Sequence, residues 1–103
     1  VQTVRSAVSE VEQRLAAVER GAQRIAALER QAAADRETAD IARERHRVGL
    51  TTFLDVADAE RVLFATELAL NQARGTLAAD TIGLNKALGG AWSVPVGEPL
   101  PVP

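Results

Sequence analysis

Two carboxylates, Asp55 and Asp58, lie three residues apart just past the middle of the chain. On a helix this spacing places both side chains on one face, close enough to share an electrostatic field. Acid–base chemistry would also need a nucleophile, a base, a metal-ligand set or a phosphate-binding loop beside them, and the sequence offers none. We therefore interpret the pair first as residues that begin a helix, where carboxylates favour the positive end of the helix dipole.

Histidine and cysteine, the residue types most used for metal binding and nucleophilic chemistry, are almost absent from the chain. It has one histidine, His46, and no cysteine, so it lacks a His/Cys ligand set for a metal and cannot use disulfide or thiolate chemistry. The formal net charge of −2 gives no basic field for nucleic acid. We predict that the chain is not an enzyme, holds no cofactor or metal, and does not bind nucleic acid.

The stretch that must position the two aspartates is a turn between two helical patterns. Gly49 can adopt the left-handed conformation that closes a helix, because it has no Cβ to clash there. Thr52 and Asp55 have the spacing of a capping box, which predicts the start of a second helix. So short a break forces the second helix to fold back antiparallel on the first. We predict an all-α fold, a long antiparallel helical hairpin with its tip at residues 48–52.

Residues 1–47 predict one long helix, since they contain no proline and a single glycine. Apolar residues in its first half alternate in steps of four and three, the spacing of a coiled-coil seam: Val4, Val8, Val11, Leu15, Val18, Ala22 and Ile25. Toward the tip the stripe thins to Leu28, Ala32, Ala39 and Ala42. Charged residues there, including Asp35, are assigned to the remaining faces.

Residues 53–88 predict a second helix with two apolar stripes. One stripe repeats every seven residues and comprises Val56, Leu63, Leu70, Leu77 and Leu84, flanked by Ala59, Ala73 and Ala87. The other comprises Leu54, Ala57, Phe64, Leu68, Gly75, Ala78 and Ile82, and a narrow polar strip of Glu60, Glu67 and Arg74 separates the two. A helix with two stripes needs a neighbour on each side, so we expect a bundle or a closed ring of helices.

The glycine pair at positions 89–90 predicts the end of this helix, and the four prolines of the chain follow it. We expect residues 89–103 to form an extended tail. No stretch approaches the roughly 18 to 20 apolar residues that a membrane-spanning helix needs, so no membrane-spanning part is expected.

The tip region then carries a resemblance to a known family. The residues Glu-Arg-His-Arg-Val-Gly-Leu-Thr-Thr-Phe-Leu-Asp-Val-Ala-Asp-Ala-Glu-Arg at positions 44–61, with Lys-Ala-Leu-Gly-Gly-Ala-Trp at 86–92, resemble the C-terminal helical hairpin of the TolC family of outer-membrane efflux proteins. The resemblance covers nearly the whole chain. It implies that the parent protein is a homotrimeric channel in the bacterial outer membrane and belongs to a tripartite efflux or secretion system. This segment would form part of the channel's tunnel in the periplasm.

The resemblance also assigns roles to residues near the tip. Val48, Gly49, Leu50 and Thr51 match the part that meets a periplasmic adaptor (membrane fusion) protein, which links the channel to an inner-membrane pump. Asp55 and Asp58 match aspartates at the tunnel entrance that influence cation preference and gating. Arg47 and His46 are weaker candidates for gate contacts.

Two other classes of protein stay open from the residues themselves. One is the α-hairpin of a periplasmic adaptor protein, whose parent would carry flanking β segments. The other is a stand-alone structural coiled coil, which would have caps at both ends. The chain begins in mid-pattern without an N-cap at residues 1–3, so we expect it to be a fragment of a longer protein. The family resemblance implies that barrel strands precede this segment in the parent.

Overall fold

A computed structural model describes residues 2–91, and within that range the chain forms two helices, α1 (Gln2–Arg47) and α2 (Phe53–Ala91). They pack against each other as an antiparallel hairpin about 70 Å long. The length follows from the 46 residues of α1, since a helix rises about 1.5 Å per residue. The predicted all-α hairpin is therefore confirmed.

α2 presents to α1 the stripe that the seven-residue repeat predicts. Val56, Leu70 and Ala73 are buried, and Leu63, Leu77 and Leu84 between and beyond them are half-buried. The second stripe lies on another side of α2 and is exposed apart from half-buried Ala57, with Phe64 at 68% and Leu54 at 67% of their full surface. The two predicted stripes of this helix are thus both present, and the second has no neighbour within the described part of the chain.

The inner line of α1 differs from the predicted one. Val11, Val18 and Ile25 are half-buried as expected, but the other four predicted members are exposed: Val4, Val8, Leu15 and Ala22. The line that faces α2 passes instead through half-buried Gly21 and through Arg14, an exposed residue whose guanidinium lies against Gly83. At Gly21 an added Cβ would lie 3.2 Å from Leu77 Cδ1, so the missing side chain makes room for a leucine of α2. Hydrophobicity alone could not select this line, because two of its members are a glycine and an arginine.

The tip half of α1 packs through small residues. Ala32 and Ala39 are buried at 3% and 0% exposure, as the thinning stripe predicts. Asp35 is buried as well, at 8% exposure, and its assignment to a solvated face was wrong. The position lies on the heptad line between Ala32 and Ala39, so a polar residue type concealed an inward-facing position.

The C-terminal end of α2 also differs from expectation. α2 continues through the glycines at positions 89 and 90 to Ala91, because these residues keep helical backbone geometry, whereas Gly49 is the described glycine with a positive φ, 82°. The rest of the predicted extended tail, residues 92–103, lies outside the described residues. Neither helix in the described range contains a stretch long and apolar enough to cross a membrane.

Candidate functional site at the hairpin tip

The turn at residues 48–52 closes α1 by a Schellman motif, in which two backbone N–H groups reach back to the last helical carbonyls. Leu50 N donates to the Arg45 carbonyl at 2.8 Å, and Gly49 N donates to the His46 carbonyl at 3.0 Å. Gly49 takes the left-handed conformation that this motif requires. The predicted role of Gly49 as helix terminator is confirmed.

The start of α2 is held by Thr51, the residue next to the predicted cap residue Thr52. Thr51 Oγ1 donates to the Asp55 carboxylate in a short hydrogen bond, and Asp55 N donates to the Thr52 carbonyl at 3.2 Å. The expected side-chain cap from Thr52 is thus replaced by a contact from Thr51. Both residues are threonines, and only the turn geometry decides which hydroxyl reaches the carboxylate.

The turn exposes a set of apolar side chains around the end of the hairpin. Leu50 is 77% exposed and Phe53 67% exposed, and Val48 and Leu54 are exposed beside them. In a Schellman motif the residue at the Leu50 position usually packs on the helix three residues before the cap, but that position holds Arg45. Leu50 therefore points outward from a well-fixed backbone.

His46 joins the two sides of the turn. Its ring meets that of Phe53 edge to face, with centroids 5.9 Å apart, and its Nδ1 lies 3.3 Å from the Thr51 carbonyl oxygen. A hydrogen bond there requires the proton on Nδ1. His46 is thus an exposed tip residue held by contacts with Phe53 and Thr51, and no group of three or more potential metal-ligating residues occurs among those the structure describes.

The three residues assigned to the channel entrance have separate partners. Arg47 pairs with Glu44 through two nitrogens at 2.5 and 3.0 Å, Asp58 pairs with Arg61 at 3.5 Å, and Asp55 accepts from Thr51. The Arg47 guanidinium lowers the pKa of Glu44, and Glu44 raises the pKa of Arg47. Within one chain, the structure therefore does not join Arg47 to either aspartate.

Asp58 lies beside a groove on the flank of the hairpin. The groove has a volume of about 270 Å³, is open to solvent, and is lined by Asp35, Thr38, Asp58, Ala59 and Val62. The surface of α2 beside Asp58 is therefore recessed, and the small side chain of Ala59 lines it. Asp35 inside the groove is already satisfied by the Gln31 amide at 2.9 Å and the Thr66 hydroxyl at 2.5 Å.

Three ion pairs join the two helices, and they were not predicted from the sequence. They join Arg43 to Glu60 at 2.9 Å, Arg36 to Glu67 at 3.4 Å, and Glu29 to Arg74 at 3.3 Å. The members are spaced by seven residues on each helix, so the polar strip on α2 faces a matching strip on α1. Equal spacing and opposite charge on the two strips were the signal that could have revealed them. We call these three pairs the ion-pair ladder.

Comparison with known proteins gives the family. The profile of the family described as "Outer membrane efflux protein" matches residues 1–90. The chain belongs to the outer membrane efflux protein family. This confirms the resemblance drawn from the tip motif.

Individual curated proteins are also similar to the chain. The chain is 32% identical over 93 residues to Nodulation protein T of Rhizobium leguminosarum bv. viciae, a match that covers 90% of this chain and 19% of the relative. It is 31% identical over 96 residues to the toluene efflux pump outer membrane protein TtgC of Pseudomonas putida, covering 93% of this chain and 20% of that one. This member of the outer membrane efflux protein family thus spans about a fifth of the length of its relatives. No solved structure matches it significantly.

Proposed function

We propose that this hairpin forms part of the periplasmic tunnel of a TolC-like outer-membrane channel, and that its tip docks a periplasmic adaptor protein. The observation that carries the docking proposal is the exposure of Val48, Leu50 and Phe53 on a turn held by backbone hydrogen bonds. A fixed backbone that presents apolar side chains can bind a partner without first losing conformational freedom. Through the adaptor, the channel would connect to an inner-membrane pump.

The second apolar stripe of α2 supports the tunnel part of this proposal. Phe64, Leu68 and Ile82 are exposed along one side of a helix whose opposite side packs on α1. Side-by-side packing of such hairpins would cover this stripe and build a cylinder wall. We propose that the parent assembles as a homotrimer in this way, as the family resemblance implies.

Docking is tested by a tip variant of the whole parent protein. Gly49→Val forces a β-branched residue into a φ of 82°, which distorts the turn while leaving the helices intact. We expect weaker pull-down of the adaptor and reduced drug export. Thr76→Val is the control, because it also introduces valine, at an exposed position in the body of α2 that lies outside both apolar stripes. Unchanged adaptor capture in Gly49→Val would show that the tip is not the docking element.

We further propose that Asp55, Asp58 and Arg47 act at the channel entrance. In a trimer the two aspartates would contribute six carboxylates to one narrow opening, where low-dielectric walls concentrate their field on passing cations. The ion pairs of Asp58 with Arg61 and of Arg47 with Glu44 are exposed and can exchange partners when other chains approach.

Neutralising both aspartates separates this role from helix capping. For Asp55→Asn/Asp58→Asn in the full-length parent, we expect loss of cation preference in single-channel recordings from planar bilayers. Melting should change little, because Asp55 is the acidic residue of the first turn of α2, where a charge contributes about 0.3 to 1 kcal/mol, and Asp58 lies beyond that turn. Glu12→Gln/Glu37→Gln removes the same charge from exposed positions on α1 and serves as control. Unaltered selectivity with lowered melting would leave the aspartates as helix-start residues only.

A further inference from the structure

The apolar seam between α1 and α2 does not by itself specify how the helices align along their axes. α2 repeats leucine every seven residues, at Leu63, Leu70, Leu77 and Leu84. The space beside Gly21 that accepts Leu77 would accept the next leucine equally well after a shift of one heptad. Other features must therefore distinguish the observed alignment from the shifted ones.

The ion-pair ladder supplies one such feature, through the order of its charges. Two pairs place arginine on α1 and glutamate on α2, whereas the third, Glu29 with Arg74, is inverted. A shift of one heptad in one direction sets Arg36 against Arg74, and the opposite shift sets Glu29 against Glu67. Each shifted alignment thus keeps one attractive pair and gains one repulsive pair, whereas the observed alignment has three attractive pairs.

The buried hydrogen bond between Thr66 and Asp35 is a second feature that distinguishes the observed alignment. Asp35 is 8% exposed and receives the Thr66 hydroxyl across the interface. A one-heptad shift would set Asp35 against Ala59 or Ala73, neither of which has a side-chain donor. A buried carboxylate that loses a donor is strongly disfavoured, so this bond also opposes both shifts.

The turn alone constrains the alignment of the two helices only weakly. The entropy of closing a loop depends only slowly on its length, so unwinding the first turns of α2 would allow a shifted alignment with a longer connection. We propose that the inverted ladder and the Asp35–Thr66 bond together fix the axial register of the hairpin. A shift of seven residues would move the helices by about 10 Å relative to each other and displace the tip.

The register can be measured by the distance between two spin labels. The chain has no cysteine, so Gln13→Cys and Gln72→Cys, both at exposed positions outside the ion-pair ladder, provide the only attachment sites. These positions are well separated along the axis, and a shift changes their distance by about 10 Å. Dilution of the labelled chain with unlabelled chain removes distances between molecules.

The decisive variant keeps all three ladder pairs attractive but removes the features that distinguish the observed alignment from the shifted ones. Glu29→Arg/Arg74→Glu gives all three pairs the same order, so that either shifted alignment retains two attractive pairs and no repulsive one. Asp35→Ala/Thr66→Ala then removes the buried bond with a residue type that the seam already uses. The control adds Arg30→Glu/Glu37→Arg, an equal exchange at exposed positions outside the ladder, to the same alanine pair.

We expect one distance in the wild type and in the control, and a second distance displaced by about 10 Å in the four-substitution variant. A single undisplaced distance in that variant, with helical circular dichroism retained, would show that the turn sets the register and overturn the proposal. If the four substitutions abolish folding, Glu29→Arg/Arg74→Glu/Thr66→Ala gives the same test with Asp35 retained.

Discussion

At the scale of single residues, the tip combines a fixed backbone with side chains whose charges are engaged locally. Gly49 permits the turn through its positive φ, and Thr51 anchors Asp55 at the start of α2. Arg47 and Glu44 neutralise each other on the last turn of α1. What remains outward at the tip is mainly apolar, led by Leu50 and Phe53.

The Glu44–Arg47 pair leads to a prediction about pH. Arg47 lowers the pKa of Glu44 through a hydrogen bond to its charged form. The pair is therefore fully formed above the ordinary glutamate pKa of about 4.3, and it is lost as pH falls through the lower folded-state value. We expect an NMR titration of the Glu44 carboxyl carbon to show a midpoint below about 4.3 in the wild type.

Arg47→Gln provides the comparison for that titration. Without the guanidinium, the Glu44 midpoint should rise toward the ordinary glutamate value, while tip contacts of His46 with Phe53 remain. An identical midpoint in both proteins would show that the Glu44–Arg47 pair does not persist in solution.

At the scale of the elements, the hairpin is held by a seam of small and branched apolar residues with one buried polar contact. Ala32 and Ala39 allow close approach near the tip, and Gly21 does the same farther along α1. Asp35 lies between the two alanines and takes one of its hydrogen bonds from α2. The contact stabilises the helix pair only while both of its members are present.

Removing the Thr66 hydroxyl should therefore destabilise the hairpin. Thr66→Val leaves a buried carboxylate with one donor fewer, which costs about 1 to 3 kcal/mol in the free energy of unfolding. Thr81→Val is the matched control, because Thr81 is exposed and bonds to Leu77 in its own helix. Its effect should stay within about 0.5 kcal/mol. Equal urea denaturation curves for the two variants would contradict the importance of the buried bond.

At the scale of the whole molecule, the hairpin is long and thin, and one side of α2 has no neighbour in the described structure. Phe64, Leu68 and Ile82 form an exposed apolar line on that side. Contiguous apolar surface of this kind favours association in water. The exposed line that supports the proposed cylinder wall should therefore also make the isolated chain self-associate.

Sedimentation over a wide concentration range tests this expectation. We expect the 103-residue chain to associate with rising concentration, and Phe64→Gln/Leu68→Gln to reduce that association. Ile41→Gln is a control at an exposed apolar position of α1. A strictly monomeric, stable wild-type hairpin would refute the requirement for a second neighbour. The assembly in solution need not be a trimer, since any partner that covers the stripe satisfies it.

The sequence alone determined the two helices, the turn at Gly49 and the inward face of α2. These features depend on local backbone preference and on the period of one helix, both of which a single chain segment displays. Only the tertiary structure decided which line of α1 faces inward, that Asp35 is buried, and that Glu29, Arg36 and Arg43 meet partners on α2. Those outcomes depend on the alignment of two helices, and alignment is a property of residue pairs that are distant in sequence.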